Sequence, residues 1–247
     1  DMGLGKTLQM LCTVPAGGSA LVVCPALVKG GFAQEVRTWR PDLTPVILSG
    51  RGSFRLPAPG EVVITNYEIL PGEREQGQDR IDLSTIPTPP QGLIMLVDEI
   101  HRCGASKTLV TGRIAALASK VLDNGGRVYG ATGTLMRTKP ENVWNILRAL
   151  RLTGRAFGTW DGFVRAFGGW QDRFGYQWPA QVPVGASQGL AKVMIRRRKD
   201  EVAQDLPAVT EQEIPCEAPA SLLRTLDKVQ SRVLAKLQKK GAVPASV

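Results

Sequence analysis

The sequence predicts an α/β fold, a mainly parallel sheet flanked by helices, with a small helical insertion late in the chain. Three observations carry this. Short apolar runs at 20–24, 45–48, 61–65, 93–97 and 127–131 recur between stretches of helical periodicity. Several are apolar almost throughout, as strands are when crossover helices cover both faces of a sheet. The run at 93–97 leads directly into two acids, Asp98 and Glu99, at the strand end where open α/β sheets place their ligands.

Helices are expected at 6–12, 29–39, 106–120 and 140–150, the last with Pro140 in its first turn. At 151–188 the texture changes: Phe157, Trp160, Phe163, Phe167, Trp170, Phe174, Tyr176 and Trp178 crowd among glycines, as in an inserted subdomain. Trp160, Phe163, Phe167 and Trp170 fall at helical spacing and are read as the core of that insertion, with base stacking as the alternative. Helical spacing returns at 221–240, with Leu222, Leu226, Val229, Val233 and Leu237 on one side and Arg224, Lys228, Arg232 and Lys236 elsewhere. This reads as a basic amphipathic surface helix packed on its apolar stripe, followed by a loose Gly-Ala-Val-Pro tail. The expected divisions are 1–150, 151–190, 191–217 and 218–247.

The chain has 247 residues, 43% of them hydrophobic, enough to fill a core. Thirty-one Lys and Arg against 22 Asp and Glu give a net charge of +9, which favours a polyanionic partner, nucleic acid first, over a basic surface serving only solubility. The four cysteines Cys12, Cys24, Cys103 and Cys216 form no CxxC pair, and His101 is the sole histidine. A zinc site of familiar spacing is therefore excluded, and a reduced intracellular chain fits. No apolar run approaches the roughly 20 residues needed to span a bilayer, so neither membrane insertion nor secretion is expected.

The opening residues Asp1-Met2-Gly3-Leu4-Gly5-Lys6-Thr7 contain all of the phosphate-binding loop GxxxxGK[ST] except its first residue. Glycines let successive backbone N–H groups face phosphate oxygens, the lysine reaches the β- and γ-phosphates, and the hydroxyl holds Mg²⁺. Gly3, Gly5, Lys6 and Thr7 supply those parts for ATP, although Gly-Lys-Thr alone also occurs as a plain helix entry. Of the two acids, Asp98 suits Mg²⁺ and Glu99 suits orienting or deprotonating the attacking water; an ordinary acidic turn is the bland alternative. His101 beside them is read as a relay towards the γ-phosphate region or the next motif, against a satisfied structural histidine. Thr132, Gly133 and Thr134, after the strand at 127–131, would couple γ-phosphate to the rest of the fold or simply cap a turn.

In order and spacing these residues resemble the first RecA-like lobe of Swi/Snf-type ATPases in helicase superfamily two. DMGLGKT with Leu8-Gln9 is similar to that family's motif I, and Leu21 to Pro25 leading to Phe32, Glu35 and Trp39 is similar to motif Ia. Val62 to Glu68 resembles the motif that touches the DNA backbone, and Asp98 to His101 the DEAH form of motif II, continued by Arg102 and Ser106-Lys107. Thr132 to Thr134 and the helix through Asn142, Trp144 and Leu147 resemble motif III. Met194 to Val202 with Leu206-Pro207 resembles the lobe-closing segment, in which Arg196 to Lys199 would brace a second lobe or contact phosphates. Two positions depart: Ile100 stands where Ala is usual, and Leu135 where Pro is usual.

The resemblance implies an ATP hydrolase using ATP and Mg²⁺, with Thr7 and Asp98 as metal ligands and Pro25, Thr65, Asn66 and Tyr67 as DNA-contacting residues. Its partners would be double-stranded DNA, held through backbone contacts, and a second RecA-like lobe in cis that supplies arginine fingers. Activity would be slow in this stretch alone. Rivals are a DNA-independent switch ATPase and a non-catalytic DNA-binding module; the latter would show damage at Lys6, Asp98 or Glu99, and none is damaged. A phosphate loop follows a strand, so the sequence is expected to be truncated before Asp1, and by resemblance after Val247. Localisation would be nuclear in a eukaryote, and cytoplasmic or nucleoid in a prokaryotic or viral setting. Oligomeric state and physiological task are left open.

Overall fold

The computed structural model describes residues 3–50, 52–73, 81–105, 108–202, 205, 212 and 219–239. Asp1, Ser106, Lys107, Leu206, Pro207, Cys216 and the tail after Lys239, each named above, lie outside these residues. The chain forms two compact units, Asp1–Gln204 and Asp205–Val247.

The first unit is built on five strands: β1 (Ala20–Cys24), β2 (Thr44–Ile47), β3 (Glu61–Asn66), β4 (Ile94–Asp98) and β5 (Arg127–Ala131). Their order is β2-β3-β1-β4-β5, and every pairing is parallel. The central strand β1 is buried at all five residues, which is why its sequence is a continuous apolar run instead of an alternating one.

Helices cover both faces, and the two-residue period of the strands divides the core between them. On one face Val22, Ile64 and Leu96 pack with Met10 and Leu11 of α1 (Lys6–Leu11) and with Phe32, Ala33 and Val36 of α2 (Lys29–Trp39). On the other, Leu21, Val63, Met95 and Val97 meet Ile114, Leu117 and Val121 of α3 (Leu109–Asp123) and Ile146 and Ala149 of α4 (Glu141–Ala149). The third helix starts later than its apolar pattern suggests. Thr108 is its N-cap, extended in backbone, with its Oγ1 accepting the Thr111 N–H at 3.2 Å.

The expected insertion is only partly helical. It contains α5 (Thr153–Ala156), α6 (Trp160–Ala166), an antiparallel hairpin of β6 (Trp170–Asp172) and β7 (Gly175–Gln177), and α7 (Val184–Ala191). Phe163 and Phe167 are buried there, packed with Trp144, Trp160 and Trp178. Trp170 does not join them and is 53% exposed. Helical spacing misplaced it because α6 ends before Gly168, which has a φ of 66°, and the chain then turns into the hairpin. At Gly169 any Cβ would lie 2.6 Å from Trp178 Cζ3, so the close approach of chain to ring requires glycine.

After α7 the unit continues through α8 (Lys199–Val202). The second unit contains α9 (Ala220–Lys239). Its stripe residues Leu222, Leu226, Val229 and Val233 are each about half exposed. Among the described residues no helix is long and apolar enough to cross a membrane.

Candidate active site

At one end of the sheet the loop before α1, the carboxyl end of β4 and the segment after β5 come together. Gly3 and Gly5 have φ of 77° and 69°, backbone that residues with a Cβ rarely adopt, and Gly5 is the N-cap of α1. The loop is tied to its helix by Gln9, whose N–H donates to Gly5 O at 3.0 Å and whose Nε2 donates to Leu4 O at 2.7 Å. Lys6 and Thr7 open α1 and are half-buried. Lys199 also reaches this loop, because a Cβ on Gly3 would lie 3.5 Å from its Cε and Nζ.

Glu99 is one of two non-glycine residues with positive φ among those described, at 52° with ψ 47°. Left-handed backbone at a residue with a Cβ costs on the order of 1–3 kcal/mol and persists where the surroundings impose it. Here it turns the chain out of β4 into the tight turn Ile100–Gly104. Glu99 Oε2 then lies 2.9 Å from His101 Nδ1 and 3.1 Å from Thr132 Oγ1, while His101 Nδ1 and Thr132 Oγ1 are 2.8 Å apart.

An ionised carboxylate only accepts, so the Glu99 contact requires the proton of a neutral His101 to be on Nδ1, which leaves Nε2 as the ring's acceptor. The Thr134 N–H donates to the same Thr132 oxygen at 3.1 Å. The second and third motifs, 31 or more residues apart in sequence, thus form one hydrogen-bonded cluster.

Asp98 is beside them. Burial pushes its carboxyl above the usual aspartate range and the charge of Glu99 adds to this; a hydrogen bond from the Glu99 backbone and the electrostatic influence of Lys6 and His101 oppose it. The influence of Lys6 brings the phosphate-loop lysine into the electrostatic environment of Asp98. A carboxylate strained towards neutrality by burial is relieved by a cation. Mg²⁺ is held through one or two carboxylates together with substrate phosphates. Asp98, with the hydroxyl of Thr7, fits that donor set without a larger protein cage.

The departure at Ile100 has a local explanation. Its side chain is buried, and a Cβ added at Gly130 in β5 would come within 3.1 Å of Ile100 Cγ1. Glycine on the neighbouring strand makes room for the larger residue. The turn is gripped from α4 as well, where Asn142 Nδ2 and Asn145 Nδ2 donate to Gly104 O at 3.1 and 2.8 Å. Asn145 escaped the sequence reading because an amide within an apolar helical pattern gives no sign of its partner.

Two of the four candidate DNA contacts lie inside the fold. Thr65 and Tyr67 are both fully buried, so their side chains offer no surface to DNA. Strand β3 is buried without a break from Val62 to Asn66, and the tyrosine that follows turns inward to an internal acceptor. The Tyr67 hydroxyl donates to Asp98 O at 2.5 Å. Asn66, 8% exposed, accepts from Lys29 Nζ at 3.0 Å and donates to Glu68 Oε2 at 2.6 Å. Pro25 is half-buried and precedes the short turn Ala26–Val28. Leu27 on that turn is 98% exposed.

Comparison with known proteins gives a consistent assignment. A model of the SNF2-related domain matches residues 1–243. The DNA annealing helicase and endonuclease ZRANB3 of Mus musculus is 27% identical over 240 residues, covering 92% of this chain and 21% of that protein. The SWI/SNF-related matrix-associated actin-dependent regulator of chromatin subfamily A-like protein 1 of Bos taurus is 28% identical over 221 residues, covering 84% and 21%. The chain thus spans about a fifth of the length of these curated relatives. Among solved structures, the Sulfolobus solfataricus SWI2/SNF2 ATPase core in complex with dsDNA aligns with a TM-score of 0.46 at 22% identity, over 68% of this chain and 33% of that one. With nearly its whole length matched by that domain model and a five-stranded parallel sheet of the expected kind, this chain belongs to the SNF2-related domain family.

Proposed function

We propose that this chain is the ATP-binding lobe of a DNA-dependent ATPase that hydrolyses ATP with Mg²⁺ to move on, or remodel, double-stranded DNA and its protein complexes. The observation that carries this reading is the Glu99–His101–Thr132 cluster, set beside an Asp98 that feels the charge of Lys6. The backbone at Gly3 and Gly5 and the Lys6 ammonium would receive the phosphates, and Thr7 and Asp98 would hold the metal. When bound, Mg²⁺ neutralises developing phosphate charge. Glu99, held by Thr132 and His101, orients the attacking water and takes its proton, and Thr132 to Thr134 couple that state to the fold.

DNA would be held through phosphate contacts, salt-dependent and largely indifferent to sequence. The net charge of +9 supports this, as do relatives whose names describe a DNA annealing helicase and a chromatin regulator. The proposed divisions are 1–150 for the ATP-binding lobe, 151–190 for the insertion, 191–217 for the closing segment and 218–247 for the helix leading to a second lobe. The protein would act inside the cell, where its DNA is.

ATP turnover of the full-length protein with and without duplex DNA tests the reading, alongside Lys6→Ala and Glu99→Gln. Duplex DNA should stimulate the parent, and both variants should lose nearly all turnover. An unstimulated parent would favour a DNA-independent switch, and full turnover in Lys6→Ala would overturn the assignment of the loop.

A further inference from the structure

Tyr67 does something other than touch DNA. Strands β1 and β4 pair only as far as Val23 and Val97, so Asp98 lies beyond that ladder, and the Tyr67 hydroxyl, reaching in from the end of β3, donates to its carbonyl at 2.5 Å.

The tyrosine ring is covered by Arg102, whose guanidinium carbon is 4.8 Å from the ring centroid. Arg102 belongs to the turn that carries His101. Its other partner is Glu68, with Nη2 and Oε1 3.4 Å apart and the two side chains 38% and 50% exposed. Glu68 in turn accepts from Asn66 at 2.6 Å, and Asn66 accepts from Lys29 at 3.0 Å. Two cations, Lys29 and Arg102, are thus linked through Asn66 and one partly exposed carboxylate, next to the buried tyrosine that supports Asp98.

We infer that Tyr67 is a positioning residue that passes occupancy of the Lys29–Glu68–Arg102 surface by a DNA phosphate to the Asp98–Glu99 turn. The inference rests on the functional reading above and deepens it. A phosphate is a strong acceptor for guanidinium and ammonium groups; it competes with Glu68 for Arg102, and with Asn66 Oδ1 and Leu48 O for Lys29, which donates to them at 3.0 and 2.7 Å. Drawing Arg102 towards phosphate changes its seat on the Tyr67 ring and pulls on the turn that holds His101 against Glu99. The Tyr67 hydroxyl keeps the Asp98 end of that turn registered with β3 while this happens. Without it, the two ends of the turn respond to DNA independently.

The test uses the full-length protein and reads the ratio of duplex-stimulated to DNA-free ATP turnover. Tyr67→Phe should lower that ratio by about fivefold, the scale of one neutral hydrogen bond, while the Kd for duplex stays within about twofold because the side chain has no exposed surface. A loss of structure alone would scale both rates equally and leave the ratio unchanged, and that result would overturn the inference. So would weakened duplex binding at an unchanged ratio, which would make Tyr67 a DNA contact.

Glu68→Ala provides an independent check. Freed of its carboxylate partner, Arg102 should raise DNA-free turnover, and this rise should vanish in the double variant with Tyr67→Phe. Equal effects of Glu68→Ala in both backgrounds would also overturn the inference. A parent that duplex DNA does not stimulate would refute the functional reading itself, an outcome distinct from a stimulated parent whose ratio survives Tyr67→Phe.

Discussion

Replacing Thr132 by valine deletes one hydroxyl and nearly preserves side-chain shape, so the loss can be traced partner by partner. The hydroxyl donates to Glu99 Oε2 at 3.1 Å, with Thr134 O at 3.2 Å as a second acceptor for the same proton, and accepts the Thr134 N–H at 3.1 Å, with His101 Nδ1 2.8 Å away. Thr134 is exposed, so water replaces its partner at little cost. His101 retains Glu99 as an acceptor at 2.9 Å. The uncompensated loss is the hydroxyl's bond to the carboxylate. Hydrogen bonds to charged groups are worth about 1.5–3 kcal/mol, and partial compensation by His101 places the expected loss near the lower end, about tenfold in turnover. Thr132→Ser keeps the hydroxyl and should keep most of the rate. The assay is steady-state ATP turnover of the full-length protein at saturating duplex DNA, with melting temperatures recorded to confirm folding. Turnover of Thr132→Val within twofold of the parent, or an equal loss in Thr132→Ser, would show that the Glu99–Thr132 bond does not orient the carboxylate for chemistry.

Two further outcomes are expected. Asp98→Asn should raise the melting temperature of the nucleotide-free protein in EDTA at neutral pH while abolishing turnover. The folded-state pKa of Asp98 is raised by burial and by Glu99, so its contribution to stability is most favourable below the unfolded aspartate value and is lost as pH rises through the folded one. The gain from Asn is therefore full at neutral pH and disappears in acid, and each kcal/mol relieved moves the midpoint by about 2–4 °C at this size; a lower midpoint for the variant at pH 7 would contradict the burial argument. Iodoacetamide at pH 8 should label exposed Cys12 well before Cys24 and Cys103, which are buried with thiols pushed up to about 12. Peptide mass spectrometry showing the three labelled at comparable rates in the folded protein would count against this packing.

Much of the fold was legible because strands buried on both faces leave no position for polar residues. The run at 20–24 coincides with β1, buried throughout; the run at 127–131 coincides with β5, an edge strand that is only partly buried, and the helix at 29–39 with α2. Helix starts and the insertion were less legible. Thr108 caps α3 by a local hydrogen bond that competes with the apolar period, and the hairpin after Gly168 interrupts a run of aromatic residues that mimics one helix.

For the proposed site, Lys6, Thr7, Asp98, Glu99, His101 and Thr132 stand out in the sequence because phosphate chemistry demands particular residue types at fixed spacings in the chain. Such spacing is a local property, written in consecutive residues. The sequence by itself therefore determined the parallel sheet and the residue types at its carboxyl edge. Only the tertiary structure decided which groups support those residues: Tyr67 under Asp98, Asn145 on Gly104, Lys199 against Gly3, and the inward burial of Thr65 and Tyr67. These contacts join segments about 30 to nearly 200 residues apart. A hydrogen-bond donor turns towards an acceptor that folding brings beside it, and no spacing rule along the chain records that meeting.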